Sequence, residues 1–121
     1  MDFDHAIAAH ATWKNKLARY LKNPDHSLKP AEIGQDDRCE LGKWIAVEGK
    51  QLAKLPEYAN VKSDHTRFHK AAAAVVERAD HGENVSEEVA FGAKSEYAAA
   101  STAVVRSIMA LKTKVGAPVK V

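Results

Sequence analysis

The chain has 121 residues, 45% of them hydrophobic and 28% charged, with a formal charge of +2. That length closes one hydrophobic core and not two, and its basic and acidic residues alternate without forming the stripe that a phosphate backbone requires, so nucleic acid is excluded as the expected partner. No apolar run approaches the roughly 20 residues that span a bilayer, and the opening MDFDHAIAAH lacks a basic-then-apolar leader, so a cytoplasmic protein with no membrane partner is expected.

Phe3, Ile7, Leu17 and Leu21, with Trp13 and Tyr20 beside them, recur at the three-and-four spacing of an amphipathic helix, and His10 falls on the same seam. Asn23-Pro24 ends it. The stretch from there to Arg38 is rich in Pro, Asp and Gly and reads as a long mobile connection. A second, shorter helix is expected to begin near Asp36 and Asp37, either of which suits a cap, and to carry Leu41, Trp44, Ile45, Leu52 and Leu55 inward. Pro56 suits the first position of a third helix, with Tyr58, Val61, His65, Phe68, Ala72, Val75 and Ala79 on its inner seam until His81-Gly82.

Asn84 followed by Glu87 has the spacing of a capping box and predicts the opening of a fourth helix, with Val89, Ala93, Tyr97, Ala100, Val104, Ile108 and Leu111 inward. No segment alternates with period two. The expected fold is all-α, an antiparallel four-helix bundle whose shorter second helix follows a long loop. Residues 1–114 form its single domain and residues 115–121 a frayed tail. The fourth helix is small or apolar around most of its circumference between Tyr97 and Val105, which suits either high helix propensity or a homodimer contact.

Two histidines four residues apart on a helix, His65 and His69, project from one face with Cβ atoms roughly 5–6 Å apart, a spacing that grips one metal ion. His10 sits at a core position, where an unpaired ring would cost on the order of 1–3 kcal/mol, and so needs a partner. Cys39 is the only cysteine, which leaves three readings: a small buried side chain, a metal ligand or a reactive thiol. Its place at the start of the second helix favours thiolate, the form that binds metal. Three imidazoles and one thiolate match tetrahedral zinc better than calcium, magnesium or a di-iron centre. His5, His26 and His81 lie on another face, in the connection and at a helix end, and are not assigned to the metal. Asp64 is a candidate acceptor for a ligand ring, although an adjacent helical residue points elsewhere. Lys43, Lys50 and Lys54 read as a solvated face.

In order, His-Ala-Thr-Trp at 10 to 13, Cys-Glu-Leu-Gly-Lys-Trp at 39 to 44 and His-Thr-Arg-Phe-His at 65 to 69 resemble the signature of the CZB family, the chemoreceptor zinc-binding domains of bacterial chemoreceptors and diguanylate cyclases. The resemblance implies that His10, Cys39, His65 and His69 hold Zn2+, that Trp13 and Trp44 are buried aromatics, and that Gly42 is the family's glycine between cysteine and tryptophan. It implies a sensory domain and not an enzyme, with output through a chemoreceptor or diguanylate cyclase. Members are commonly one end of a longer signalling protein, whereas Met1 here suits a free-standing one. The alternatives are an oxidant sensor, in which hypochlorous acid or a related oxidant attacks zinc-bound Cys39, and an adaptor stapled by a structural zinc. No His-Glu-x-x-His pair, Gly-rich phosphate loop or Glu-x-x-His pair points to catalysis.

Overall fold

In the computed structural model, residues 3–35, 39–82, 86 and 90–115 are described. Among them every regular element is helical: α1 (Phe3–Lys22), α2 (Pro30–Ile33), α3 (Glu40–Ala46), a 3-10 segment (Glu48–Leu52), α4 (Pro56–Asp80) and α5 (Glu96–Lys114). The all-α expectation is met.

Helix α4 follows its sequence most closely. Pro56 occupies the first turn, where its missing N–H costs nothing, and Gly82, with φ of 78°, takes the left-handed conformation just past the helix. All seven residues of the expected inner seam are buried, Val61 and Phe68 completely. Helix α1 ends at Lys22 as Asn23-Pro24 requires, with Leu17 and Tyr20 buried and Phe3, Ile7 and Leu21 packed at the edge of the core.

Paired side chains fix how these helices meet. His10 lies against His65, Phe68 and His69, while Tyr20 Oη donates to Asp80 Oδ1 at 2.6 Å, so α1 and α4 run in the same sense. Phe68 meets Tyr97 near the start of α5, and Asp64, one turn earlier in α4, accepts from Ser107 near its end, so α5 runs against α4. Val104, Ile108 and Leu111 on α5 are fully buried in that seam. Removing a buried Ile108 or Leu111 side chain to Ala typically costs about 2–5 kcal/mol, so each contributes substantially to the stability of the seam.

The departures from expectation lie between the long helices. The connection after Pro24 contains α2, whose Ile33 is buried and whose Gly34 runs close to Ala73 of α4, so this part of the stretch is packed rather than mobile. Residues 36–38, including the expected caps Asp36 and Asp37, lie outside the described residues; the observed cap of α3 is Cys39. The second helix is short because the backbone tightens into the 3-10 segment, where Gly49 lies on Trp44: a Cβ there would sit 3.0 Å from the indole. Trp13 and Trp44 are half-buried instead of buried, because the indoles lie at the edge of the core, Trp13 under the Lys16 ammonium at 4.5 Å and Trp44 edge-on to Phe3. Asn84, Glu87 and Val89 lie outside the described residues, as do residues 116–121. Ser95 caps α5 by accepting the Ala98 N–H at 3.1 Å, so Ala93 falls in an exposed turn and not on the inner seam.

Candidate metal centre

His65 and His69 come from the middle of α4, one turn apart, so their rings share a face and lie with centroids 4.5 Å apart. His10 enters from α1, its ring centroid 5.1 Å from that of His65 and 5.9 Å from that of His69. Cys39 approaches from the N-cap of α3, where the extended backbone of the cap turns its sulfur toward His65. One ligand atom from each of the four lies within 4.8 Å of every other. Thus all four residues singled out from the sequence are brought together.

The second ring nitrogen of two histidines is already committed. His10 Nδ1 donates to the Ala6 carbonyl at 2.7 Å and His69 Nδ1 donates to the Ile33 carbonyl at 2.8 Å. A carbonyl can only accept, so in each neutral ring the proton is on Nδ1 and the Nε2 lone pair is left for the cluster. Burial pushes the His10 pKa below the ordinary imidazole value, against the opposing pull of the Ala6 carbonyl, and the neighbouring His69 lowers it further. The neutral ring, the form that binds a metal, is therefore favoured.

His65 Nε2 is central. It lies 3.1 Å from Cys39 Sγ and 3.0 Å from His69 Nε2. Zinc bonds of about 2.0–2.1 Å to nitrogen and 2.3 Å to sulfur place tetrahedral ligands about 3.3–3.6 Å apart, so these two edges need to open by only a few tenths of an ångström. The donor set of three nitrogens and one sulfur is that of zinc rather than of a hard cation. The residues fit the ion.

Phe68, fully buried, forms the floor, with its ring centroid 5.1 Å from that of His10 and 5.6 Å from that of His69. His10, His65 and His69 are each at most 4% exposed, and Cys39 is half-buried. The seven-residue α3 offers only a short dipole to the sulfur; its direct donor is the Gly42 N–H at 3.4 Å. Asp64 does not orient a ligand ring: its Oδ2 accepts from Ser107 on α5, because an adjacent helical position points about a hundred degrees away. His5 and His81 are exposed, and His26 stands 3.5 Å from Asp80, all outside the cluster.

Sequence reasoning missed the carbonyls of Ala6 and Ile33. The first was within reach, since Ala6 precedes His10 by four residues on one helix. The second had only a faint signal, a lone isoleucine after Pro30 in a polar stretch.

The family model described as the chemoreceptor zinc-binding domain matches residues 10–76, more than half of the chain and a span that includes all four clustered residues. No curated protein and no solved structure matches the chain. Among the described residues no helix is long and apolar enough to cross a membrane.

Proposed function

The chain belongs to the chemoreceptor zinc-binding family, and from that premise we propose that it is a regulatory module holding one zinc ion between His10, Cys39, His65 and His69. The observation that carries the reading is the convergence of four donor atoms, two of them on rings whose other nitrogen is bonded to a backbone carbonyl. When bound, the ion supplies a positive charge that favours the Cys39 thiolate and cross-links helices far apart in the chain. Four protein ligands leave no open position for water, which supports a sensory role over hydrolysis.

Cys39 is the ligand best placed to move. His65 and His69 are held in the middle of a 25-residue helix, whereas Cys39 precedes a helix of seven residues. Release of its sulfur frees α3 locally, while the seams joining α1, α4 and α5 hold the rest, giving two states that a partner can distinguish. By family likeness, the receiving protein belongs to the chemoreceptor or diguanylate cyclase class and the module acts in the cytoplasm. The helices then form an antiparallel four-helix bundle in which α3 and its 3-10 continuation are the short second member.

Metal analysis of the purified chain, with zinc affinity of Cys39→Ala measured by chelator competition, tests this. One zinc per chain and a large loss of affinity with most helicity retained are expected; unchanged affinity in the variant removes Cys39 from the site.

The partial exposure of Cys39 favours a second reading, an oxidant sensor. Thiolate and hypochlorous acid yield sulfenic acid and chloride, and the sulfur loses its affinity for the metal. Mass spectrometry after limited oxidation should then find one added oxygen on Cys39 in step with zinc release; zinc retained on an oxidised chain, or an inert thiol, counts against it.

A further inference from the structure

Beside the metal cluster, between α3 and α4, lies a pocket of about 260 Å³ with Gly42, Ile45, Lys50, Tyr58, Lys62 and His65 in its lining. His65, 1% exposed, is the one member of the four-donor cluster among the described lining residues. Gly42, whose N–H faces Cys39 Sγ, contributes another part of the lining. The Tyr58 hydroxyl donates to the Ile45 carbonyl at 2.7 Å and ties α4 to α3 across the pocket, so its shape is built by buried groups.

Among the described lining residues the charge is one-sided. Lys50 and Lys62 are exposed and line the mouth, and no carboxylate is among the described lining residues. Two ammonium groups over a concave, partly apolar site concentrate anions there, because the low-dielectric walls focus their field. The larger groove along the outer face of α4 shares Tyr58 and Lys62 but reaches none of the four donors, and its Arg67 is already paired with Glu96.

We propose that this pocket is an anion site through which carboxylate-bearing metal acceptors reach the cluster, seated between Lys50 and Lys62 and meeting it on the His65 side. The proposal rests on the zinc reading given above. An acceptor seated there meets the cluster where the Gly42 N–H faces the Cys39 sulfur, so Cys39, the ligand best placed to move, yields its place to a carboxylate oxygen and keeps its own electron pair as thiolate. The Lys50 and Lys62 pair thereby makes exchange with small anionic carriers faster than exchange with uncharged ones.

Stopped-flow transfer of zinc from the loaded full chain tests this, using nitrilotriacetate as the anionic acceptor and ortho-phenanthroline as the uncharged one, at low ionic strength. The Lys50→Gln/Lys62→Gln variant should slow transfer to nitrilotriacetate about tenfold and leave the ortho-phenanthroline rate unchanged. Added salt should bring the unmodified chain down toward the variant. Lys70→Gln removes a charge from the same helix outside this pocket and should change neither rate. A Lys70→Gln effect as large as that of the Lys50→Gln/Lys62→Gln variant would mark long-range steering and overturn the pocket. Zinc content is measured before mixing: a chain that takes up no zinc overturns the metal assignment and this proposal with it, whereas fully loaded proteins with equal nitrilotriacetate rates overturn the pocket alone.

Discussion

His69 Nδ1 lies 2.8 Å from the carbonyl oxygen of Ile33, a residue 36 positions earlier in the chain. The bond makes α2, only four residues long, part of the candidate metal centre: Ile33 is buried against α4, and its carbonyl fixes which nitrogen of His69 carries the proton. Ile33→Ala keeps the carbonyl but removes the anchor that positions it. Partners of this kind typically contribute 10–100-fold in metal affinity, so zinc affinity should fall roughly tenfold. Stability should fall by about 2 kcal/mol, the low end for a buried aliphatic truncation, because so short a helix can readjust. Chelator competition beside thermal unfolding measures both. A loss of stability with unchanged affinity would reduce Ile33 to packing alone.

How much of this was legible beforehand differs from element to element. Every residue of the expected inner seam of α4 is buried because an unbroken helix maps spacing directly onto a face, although the buried face is wider and takes in Ala71, Ala73 and Val76 as well, and the four donors could be picked out because polar rings and the only thiol stood where apolar side chains were expected. Helix α3 was read too long: Leu52 and Leu55 continue an apolar pattern, but the close approach of Gly49 to Trp44 comes from tertiary packing and turns the backbone into a 3-10 segment. The start of α5 was missed because Ser95 lacks a Glu or Gln three residues on, so the cap bond to Ala98 had no matching reciprocal partner in the sequence. Helix α2 was hidden because one buried isoleucine creates no period.

Cys39 does two jobs that substitution can separate. Its sulfur caps α3 by accepting the Gly42 N–H, and it stands in the donor cluster. Serine is the better cap and the poorer zinc ligand, whereas alanine is neither. In the metal-free chain Cys39→Ser should be at least as stable as the parent, and Cys39→Ala less stable than Cys39→Ser by about 1 kcal/mol. Both should lose more than about a hundredfold in zinc affinity, beyond what the loss of an indirect partner produces. Near-parental zinc affinity in Cys39→Ser, read by competition, would leave the cysteine with the capping role only.

Asp64 offers a contrast within the same turn of helix. It adjoins His65, yet its carboxylate accepts from Ser107 and so fastens α4 to α5. Ser107→Ala leaves that acceptor without its partner and should cost about 1–3 kcal/mol, with zinc affinity held within a factor of about two. Urea unfolding and chelator competition on one preparation decide it. A tenfold change in affinity would mean that the seam between α4 and α5 controls the metal centre.

Two buried tyrosines give opposite expectations at neutral pH and the same one in alkali. The Tyr20 hydroxyl donates to Asp80 and joins the far ends of α1 and α4, whereas the Tyr97 hydroxyl is buried with no hydrogen-bond partner among the described residues. Tyr20→Phe should therefore destabilise the chain by about 1–2 kcal/mol, while Tyr97→Phe should be neutral or stabilising, since it removes a polar atom that burial leaves unpaid. Burial raises the pKa of both groups, and for Tyr20 the Asp80 bond raises it further. The unfolded chain gives up these protons near the ordinary value of 10.0 and the folded chain at higher pH. Their contribution is thus whole below pH 10.0 and drains as the pH climbs from there toward the folded values. Each Phe variant should flatten that alkaline decline, and the double variant should flatten it most. Denaturant unfolding at neutral and alkaline pH measures both effects, and a Tyr97→Phe chain that unfolds more readily at neutral pH would show that its hydroxyl is bonded after all.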